Sequence, residues 1–477
     1  MRAWKHRYAA LGLCAAALAA AGLVAGCRTN PVTGQSELVL VQPQEELALG
    51  DELHPNVIFS YDGEYLDPEL KRYLGTIVMR LHACSHRPDM PTDFTVVNTS
   101  VVNAFAIPGH VYATRGFIAH MPNEAQFAAV MGHELAHVAA GHTAKELTNK
   151  MLTGLVFNAA DYAAGGSAGG KLAAGAGQVG IALVGLSYNR EQEIQADRVG
   201  AYYMALAGWD PRQAVEMEKL LDSLGKSNPT ALDRYLSTHP PSADRVREVQ
   251  AVIYDMKLQS GRYVQGDGVY AERWLRHTAQ LREVDRACAP YDRGLKLLGD
   301  KKPAEALAAA EESLAMRDDQ APFHRLKGDA LLALGRPAEA KAAYNAALAR
   351  DRRYVLADSG LGKVLLQQGD YAAAETEFAA AAHGYPNSLV ASYGLGVARY
   401  RLARYRDAVA PLEKVVGSMP NDPMVRYMLA VCYDETSRPA DAYAAYREAL
   451  SAGLSGPERE HALSRVGALQ AYAGAAQ

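Results

Sequence analysis

The stretch Asn123-Glu124-Ala125-Gln126-Phe127-Ala128-Ala129-Val130-Met131-Gly132-His133-Glu134-Leu135-Ala136-His137-Val138-Ala139-Ala140-Gly141 decides how this 477-residue chain is read. Asn123 is a good N-cap, and Gln126 three residues on completes a capping-box pattern. Gly141 is a natural C′ terminator, so the segment is predicted to be one amphipathic helix. His133 and His137 lie one turn apart, which sends both imidazoles from the same face. Two neutral imidazoles at this spacing can chelate a single zinc ion. Glu134 points beside such a metal rather than at it, where a carboxylate can take a proton from water. The Ala and Val residues around the motif argue against a solvated surface helix.

A hydrolytic zinc site of this kind needs a third protein ligand. The long metzincin motif requires Gly at 140 and His at 143, where this chain has Ala140 and Thr143. His142, five positions after His137, falls off the ligand face and reads as an ordinary residue. A downstream carboxylate is left, and Tyr188-Asn189-Arg190-Glu191-Gln192-Glu193-Ile194-Gln195-Ala196-Asp197-Arg198-Val199-Gly200 offers it. Glu193 and Asp197 are one helical turn apart, so Glu193 can face the metal while Asp197 holds a ligand histidine from behind. Glu191 is the rival ligand, and it lacks an acid four residues on.

These motifs resemble the CAAX-prenyl-protease/HtpX family of zinc metallopeptidases. The matching pieces are Asn123-Glu124-Ala125-Gln126 ahead of His133-Glu134-Leu135-Ala136-His137, then Arg190-x-x-Glu193-x-x-Ala196-Asp197, then Ser237-Thr238-His239-Pro240-Pro241 with Arg245. Asn189 stands where family members often carry Ser, outside the ligand shell. The resemblance covers roughly residues 28 to 255. It implies an α+β zincin (gluzincin) metalloprotease domain, with one zinc on His133, His137 and Glu193 and with Glu134 as base. His239 matches a family histidine near the metal, with Arg245 at the matching spacing behind it. Two roles are open for His239: a donor that stabilises the oxyanion together with Arg245, or a fourth ligand that plugs the site until substrate draws it away. The plug is the favoured one. Asn103 to Tyr112 reads as a hairpin, and by resemblance its edge strand pairs with extended substrate. His110, next to its turn, reads as polar surface. The implied activity is that of a zinc-dependent metalloendopeptidase of the bacterial envelope, degrading misfolded or misassembled outer-membrane proteins. The alternative is a chaperone or assembly adaptor in which proteolysis is secondary.

The start of the chain reads as a targeting segment. Arg2, Lys5 and Arg7 precede an apolar run from Ala9 to Val24 that closes on Val24-Ala25-Gly26-Cys27. That closure resembles a lipobox, which predicts a signal peptide over 1–26 and a lipid anchor on Cys27. Arg28 after the Cys implies sorting to the periplasmic face of the outer membrane. Cys84, Cys288 and Cys432 are left, an odd number that allows one disulfide. Further on, further strands are predicted at 37–41 and 94–97, with helices at 45–53 and 68–82. Residues 151–187 are apolar and interrupted by Gly165-Gly166-Ser167-Ala168-Gly169-Gly170, which predicts helix, loop, helix: a lid over the site or a packing segment. With 49% hydrophobic and 21% charged residues the composition is that of a folded protein. A net charge of −4 leaves no bulk electrostatic footprint for nucleic acid.

After residue 255 the pattern changes. A connecting stretch, 256–290, contains Gly261, Gly266 and Gly268. Beyond it Gly294, Gly328, Gly362, Gly396 and Ala430 recur every 34 residues, as do Ala306, Ala340, Ala374, Ala408 and Ala442. Tyr344, Phe378, Leu412 and Tyr446 keep the same step. Three parallel registers at this period define tetratricopeptide repeats: five helical pairs from about 291 to 454 and a closing helix from Pro457 to about Tyr472. The predicted organisation is therefore 1–26 signal peptide, 27–255 metallopeptidase domain, 256–290 linker and 291–477 all-α solenoid. The solenoid groove is predicted to dock misfolded or partly assembled envelope proteins and, by resemblance, the outer-membrane assembly machinery.

Overall fold

A computed structural model describes residues 27–149, 187–227, 229–240, 243–259, 265–419 and 421–472. The predicted signal segment and the Gly-rich stretch at 165–170 lie outside the described residues. The chain divides into two compact units, Met1–Asp285 and Arg286–Gln477. Among the described residues no helix is long and apolar enough to cross a membrane.

In the first unit a short ladder, β1 (Cys27–Thr29) with β2 (Ser36–Leu38), precedes helices α1 (Pro43–Ser60) and α2 (Pro68–Ala83). The strand predicted over 37–41 stops at Leu38, because the Leu40 N–H leaves the ladder and donates to Thr148 Oγ1 at 3.0 Å. β3 (Asp93–Val97), β4 (Ala104–Ile107) and β5 (His110–Thr114) form one sheet in the order β3-β5-β4, with β3 parallel and β4 antiparallel to β5. The predicted hairpin is thus present, turning at Pro108-Gly109 with Gly109 at φ +85°, and β4 is an edge strand.

After the short α3 (Arg115–His120) comes α4 (Glu124–Ala139), which carries the His133/His137 motif. Asn123 Oδ1 caps it by accepting from the Gln126 N–H at 2.8 Å. The reciprocal half of the capping box does not form: Gln126 Oε1 is buried without a hydrogen-bond partner, while its Nε2 is turned to donate to Gln213 Oε1. The amphipathic expectation is also corrected: every residue of α4 is buried. Its N-terminus is held by Glu124, whose carboxylate accepts from Tyr73 Oη, Trp209 Nε1 and Arg273, so three distant segments converge on one buried anion.

α5 (Arg190–Leu206) crosses α4 next to the motif. The crossing is close because both helices present glycine there. A Cβ on Gly200 would lie 2.7 Å from the His133 nitrogen, and one on Gly132 2.9 Å from the Gly200 oxygen. α6 (Arg212–Ser227), α7 (Pro229–Thr238) and α8 (Ala243–Gln259) complete the surround. α9 (Ala271–Gly299) begins inside the stretch predicted as a linker, and residues 271–285 belong to the first unit. They are held by packing: Trp274, Leu281 and Val284 are buried, and Trp274 Nε1 donates to the Met121 carbonyl at 2.7 Å.

The second unit is helical throughout its described residues. After the end of α9 come α10 (Pro303–Met316), α11 (Ala321–Ala333), α12 (Pro337–Arg350), α13 (Val355–Gln368), α14 (Tyr371–Gly384), α15 (Leu389–Arg401), α16 (Tyr405–Ser418), α17 (Pro423–Glu435) and α18 (Pro439–Ser451), closed by α19 (Gly456–Ala468). The 34-residue step has a packing cause. The Tyr344 ring occupies the space that a Cβ would need at Gly328 and at Gly360, and the Phe378 ring does the same to Gly362 and Gly394. Each large ring therefore sits between a glycine of its own repeat and one of the next. Among the described residues, no disulfide joins Cys84, Cys288 and Cys432.

Candidate metal centre

α4 and α5 bring four donors together. His133, His137, Glu193 and His239 each offer a ligand atom, all within 4.8 Å of one another, and all four residues are buried. His133 Nε2 and His137 Nε2 are 2.9 Å apart. The Glu193 carboxylate reaches both, Oε1 at 3.4 Å from His137 Nε2 and Oε2 at 3.6 Å from His133 Nε2. Glu191, the rival ligand, is exposed on the other side of α5. His239 follows the end of α7, with Nδ1 at 3.0 Å from Glu193 Oε1 and Nε2 at 3.6 Å from Glu134 Oε1.

A second ring of contacts fixes these donors. His133 Nδ1 is 2.8 Å from Asp197 Oδ1. Arg245 donates to the same carboxylate from Nε at 2.6 Å and Nη2 at 2.8 Å, a bidentate grip. Arg245 also lies 3.3 Å from Glu193 and from Glu218, and Nη1 donates to the Pro240 carbonyl beside His239. One buried guanidinium thus ties Glu193, Asp197 and the His239 turn together. Sequence reading placed Arg245 near the site but missed Glu218, which lies on α6 and outside every motif.

His142 departs from its sequence reading. It is buried, and its Nδ1 lies 2.8 Å from Nδ1 of His137. Tyr188 stacks on His137 with ring centroids 3.9 Å apart and planes at 20°, its hydroxyl 3.0 Å from Thr143 Oγ1. His110 lies elsewhere, against Asp51 and His54.

Burial and charge set the protonation of the group. Burial opposes charge on His133, yet Asp197 at its Nδ1 outweighs this and lifts it to about 9. At His137 burial and the neighbouring His133 act together and push it well below the usual imidazole range. Burial disfavours the Glu193 anion, but hydrogen bonds with His137 and His239 hold it well below the usual carboxylate range. Glu134 is pushed up by burial, with His239 and His133 partly offsetting. The Ala106 backbone of edge strand β4 also favours the charged form slightly. Two buried polar atoms here have no hydrogen-bond partner, Glu134 Oε1 and Tyr235 Oη. Orphaned buried groups are costly, on the order of 1–3 kcal/mol each, unless a ligand or solvent meets them.

The donor set fits a divalent ion of zinc type: two imidazoles and a carboxylate converge, with a further carboxylate alongside. His133 and His137 would present Nε2, and Glu193 an oxygen.

Comparison with known proteins defines the class. Residues 68–253 match the model of peptidase family M48, and residues 291–340, 325–388 and 365–430 match tetratricopeptide-repeat models. The chain carries an M48 peptidase domain followed by tetratricopeptide repeats, in line with the family resemblance of its motifs. That family implies a metal, which the His133–His137–Glu193–His239 group could bind. The chain is 28% identical over 238 residues to the mitochondrial metalloendopeptidase OMA1 of Arabidopsis thaliana, covering 49% of this chain and 47% of that one. It is 27% identical over 286 residues to the beta-barrel assembly-enhancing protease of Escherichia coli, covering 55% of this chain and 58% of that one. The chain thus spans about half the length of these curated relatives. The solved structure of YrrB, a tetratricopeptide-repeat protein, is 17% identical and covers 40% of this chain and 96% of its own at a TM-score of 0.34.

Proposed function

We propose that this chain is a zinc metalloendopeptidase in which His133, His137 and Glu193 hold the ion and Glu134 is the general base. The observation that carries the reading is Glu134 itself, a buried carboxyl beside the three donors, with one oxygen unpartnered and a raised proton affinity. Zinc supplies Lewis acidity that polarises a peptide carbonyl and makes water acidic enough to attack at neutral pH. Glu134 takes the proton of the attacking water and hands it to the departing amine. An extended peptide along the edge of β4 would pair with main-chain groups and lie across Glu134. Tyr235, whose buried hydroxyl has no hydrogen-bond partner, packs against His239 with ring centroids 4.9 Å apart and is a candidate donor to the developing charge.

His239 is the fourth member of the group, and its contacts with Glu193 and Glu134 support the plug over the oxyanion role. In this latent state its ring stands where substrate would lie. The tetratricopeptide repeats dock substrate or partner. The name of the Escherichia coli relative, together with the lipobox-like Val24-Ala25-Gly26-Cys27, supports a lipid-anchored periplasmic enzyme acting on misassembled outer-membrane proteins.

The test is Glu134→Gln, measured for zinc by mass spectrometry and for cleavage of an unfolded protein. Retained zinc with cleavage lowered by about 10²–10⁴-fold is expected. Loss of neither would remove Glu134 from the chemistry. Full rescue of an envelope defect by this variant would favour the adaptor reading. His239→Ala separates the two His239 roles: faster cleavage is expected of a plug, and a large loss would assign it to the oxyanion.

A further inference from the structure

We propose that His142 and Gln195 form a neutral relay that fixes the tautomer of His137 and so its capacity to bind the ion. The proposal rests on the metallopeptidase reading of the site. α4 ends at Ala139, Gly141 adopts φ +68°, and residues 142–149 resume as helix. That turn folds His142 back under His137, with ring centroids 4.9 Å apart and planes at 69°.

Two Nδ1 atoms facing each other at 2.8 Å admit one reading of their protons: one donates and the other accepts. His137 Nε2 faces His133 and Glu193, so it must keep its lone pair to serve as a ligand. Its proton then sits on Nδ1 and is donated to His142 Nδ1. His142, accepting there, carries its own proton on Nε2, which lies 2.8 Å from Gln195 Oε1. An amide oxygen only accepts, so the chain of bonds runs in one direction without a conflict. Tyr188, stacked on the face of the His137 ring, restrains its plane.

The two ligand histidines are therefore held by different chemistry. His133 is backed by an anion, Asp197, that is itself gripped by Arg245. His137 is backed by an uncharged imidazole and an uncharged amide. Both supports end on α5, at Asp197 and Gln195, the helix that also carries Glu193. Without His142, His137 would divide between tautomers, and the Nε2–H form cannot coordinate. Loss of such an outer partner typically weakens metal binding about 10–100-fold.

The experiment is zinc affinity by chelator competition on the full chain, with the visible spectrum of the cobalt-loaded protein as a second readout. His142→Leu should bind zinc about 10–100-fold more weakly and shift the cobalt bands. His142→Asn places an amide oxygen near the position of Nδ1, and should stay within about threefold of the parent by the same outer-partner logic. Gln195→Leu, at a part-exposed position, should fall between them. Unchanged affinity and spectrum in His142→Leu overturns the relay, as does His142→Asn failing as badly as His142→Leu, which would assign a packing role. If His142→Leu does not fold, Gln195→Leu at parental affinity and spectrum overturns it. A parent chain that binds no zinc overturns the metallopeptidase reading and the relay with it; a parent that binds, with indifferent variants, overturns the relay alone.

Discussion

Glu193 and Glu191 are two residues apart in sequence, and only one of them reaches the donor group. Glu193 is buried against His137, His239 and Arg245, whereas Glu191 is exposed. Glu193→Gln should therefore cost more zinc affinity than the about 10–100-fold typical of an outer partner, while Glu191→Gln should leave it unchanged; metal content after dialysis reads both. A second residue open to titration lies in the second unit. Asp358 on α13 is buried with Oδ1 unpartnered, and burial, reinforced by Glu377, raises its carboxyl to about 7. Unfolded, it loses its proton near the ordinary value of about 4. Between those values the folded state holds the extra proton, so stability falls as pH climbs from about 4 to about 7 and levels off above. Asp358→Asn should remove that slope, and melts at pH 5 and pH 8 should differ less than in the parent. At this scale helical spacing was enough to predict which side chains meet: His133, His137 and Glu193 converge, with Asp197 behind His133. It was not enough for His142, because the left-handed Gly141 resets the register between it and His137. Nor was it for Tyr235, whose unpartnered hydroxyl exists only once α7 is placed.

Helix geometry decides whether these side chains meet at all. The crossing of α4 over α5 depends on Gly132 and Gly200, where backbone touches backbone. Gly200→Ala should push the helices apart, carrying Glu193 and Asp197 away from the histidines. Overpacking of this kind costs about 1–3 kcal/mol, and zinc affinity should fall with the thermal midpoint. Gly75→Ala on α2 is the control: a Cβ there meets nothing within 4 Å. Its better helix propensity, worth up to about 1 kcal/mol, should leave zinc binding alone and raise the midpoint. Both glycines of the crossing stood inside the quoted motifs, yet spacing gave no reason to pair them. The same holds for the capping box, whose Gln126 was claimed by Gln213 from α6. Local patterns announce local bonds, and a tertiary competitor can take them.

Across the whole molecule, the order of a small mixed sheet with the donor-bearing helices and then a repeat array followed from motif order and from the 34-residue period. What was missed is where the first unit stops. Three glycines made 256–290 read as a connection, although Trp274, Leu281 and Val284 are spaced for a buried helical stripe. A fragment of residues 27–299 should be soluble and retain zinc. One of residues 27–270 lacks Trp274 and removes Arg273 from the buried Glu124 carboxylate, so it should aggregate or melt well below the longer one. Size-exclusion chromatography and metal content on the pair check this. In the second unit, Gly360 and Gly394 receive the rings of Tyr344 and Phe378 in the same way. Loss of residues 355–388 would set Gly394 against Tyr344 where Gly360 had been, one glycine for another. An in-frame duplication would likewise arrive with its seams already matched. The array can thus lengthen or shorten over generations by whole units, and inheritance need not invent a new joint each time.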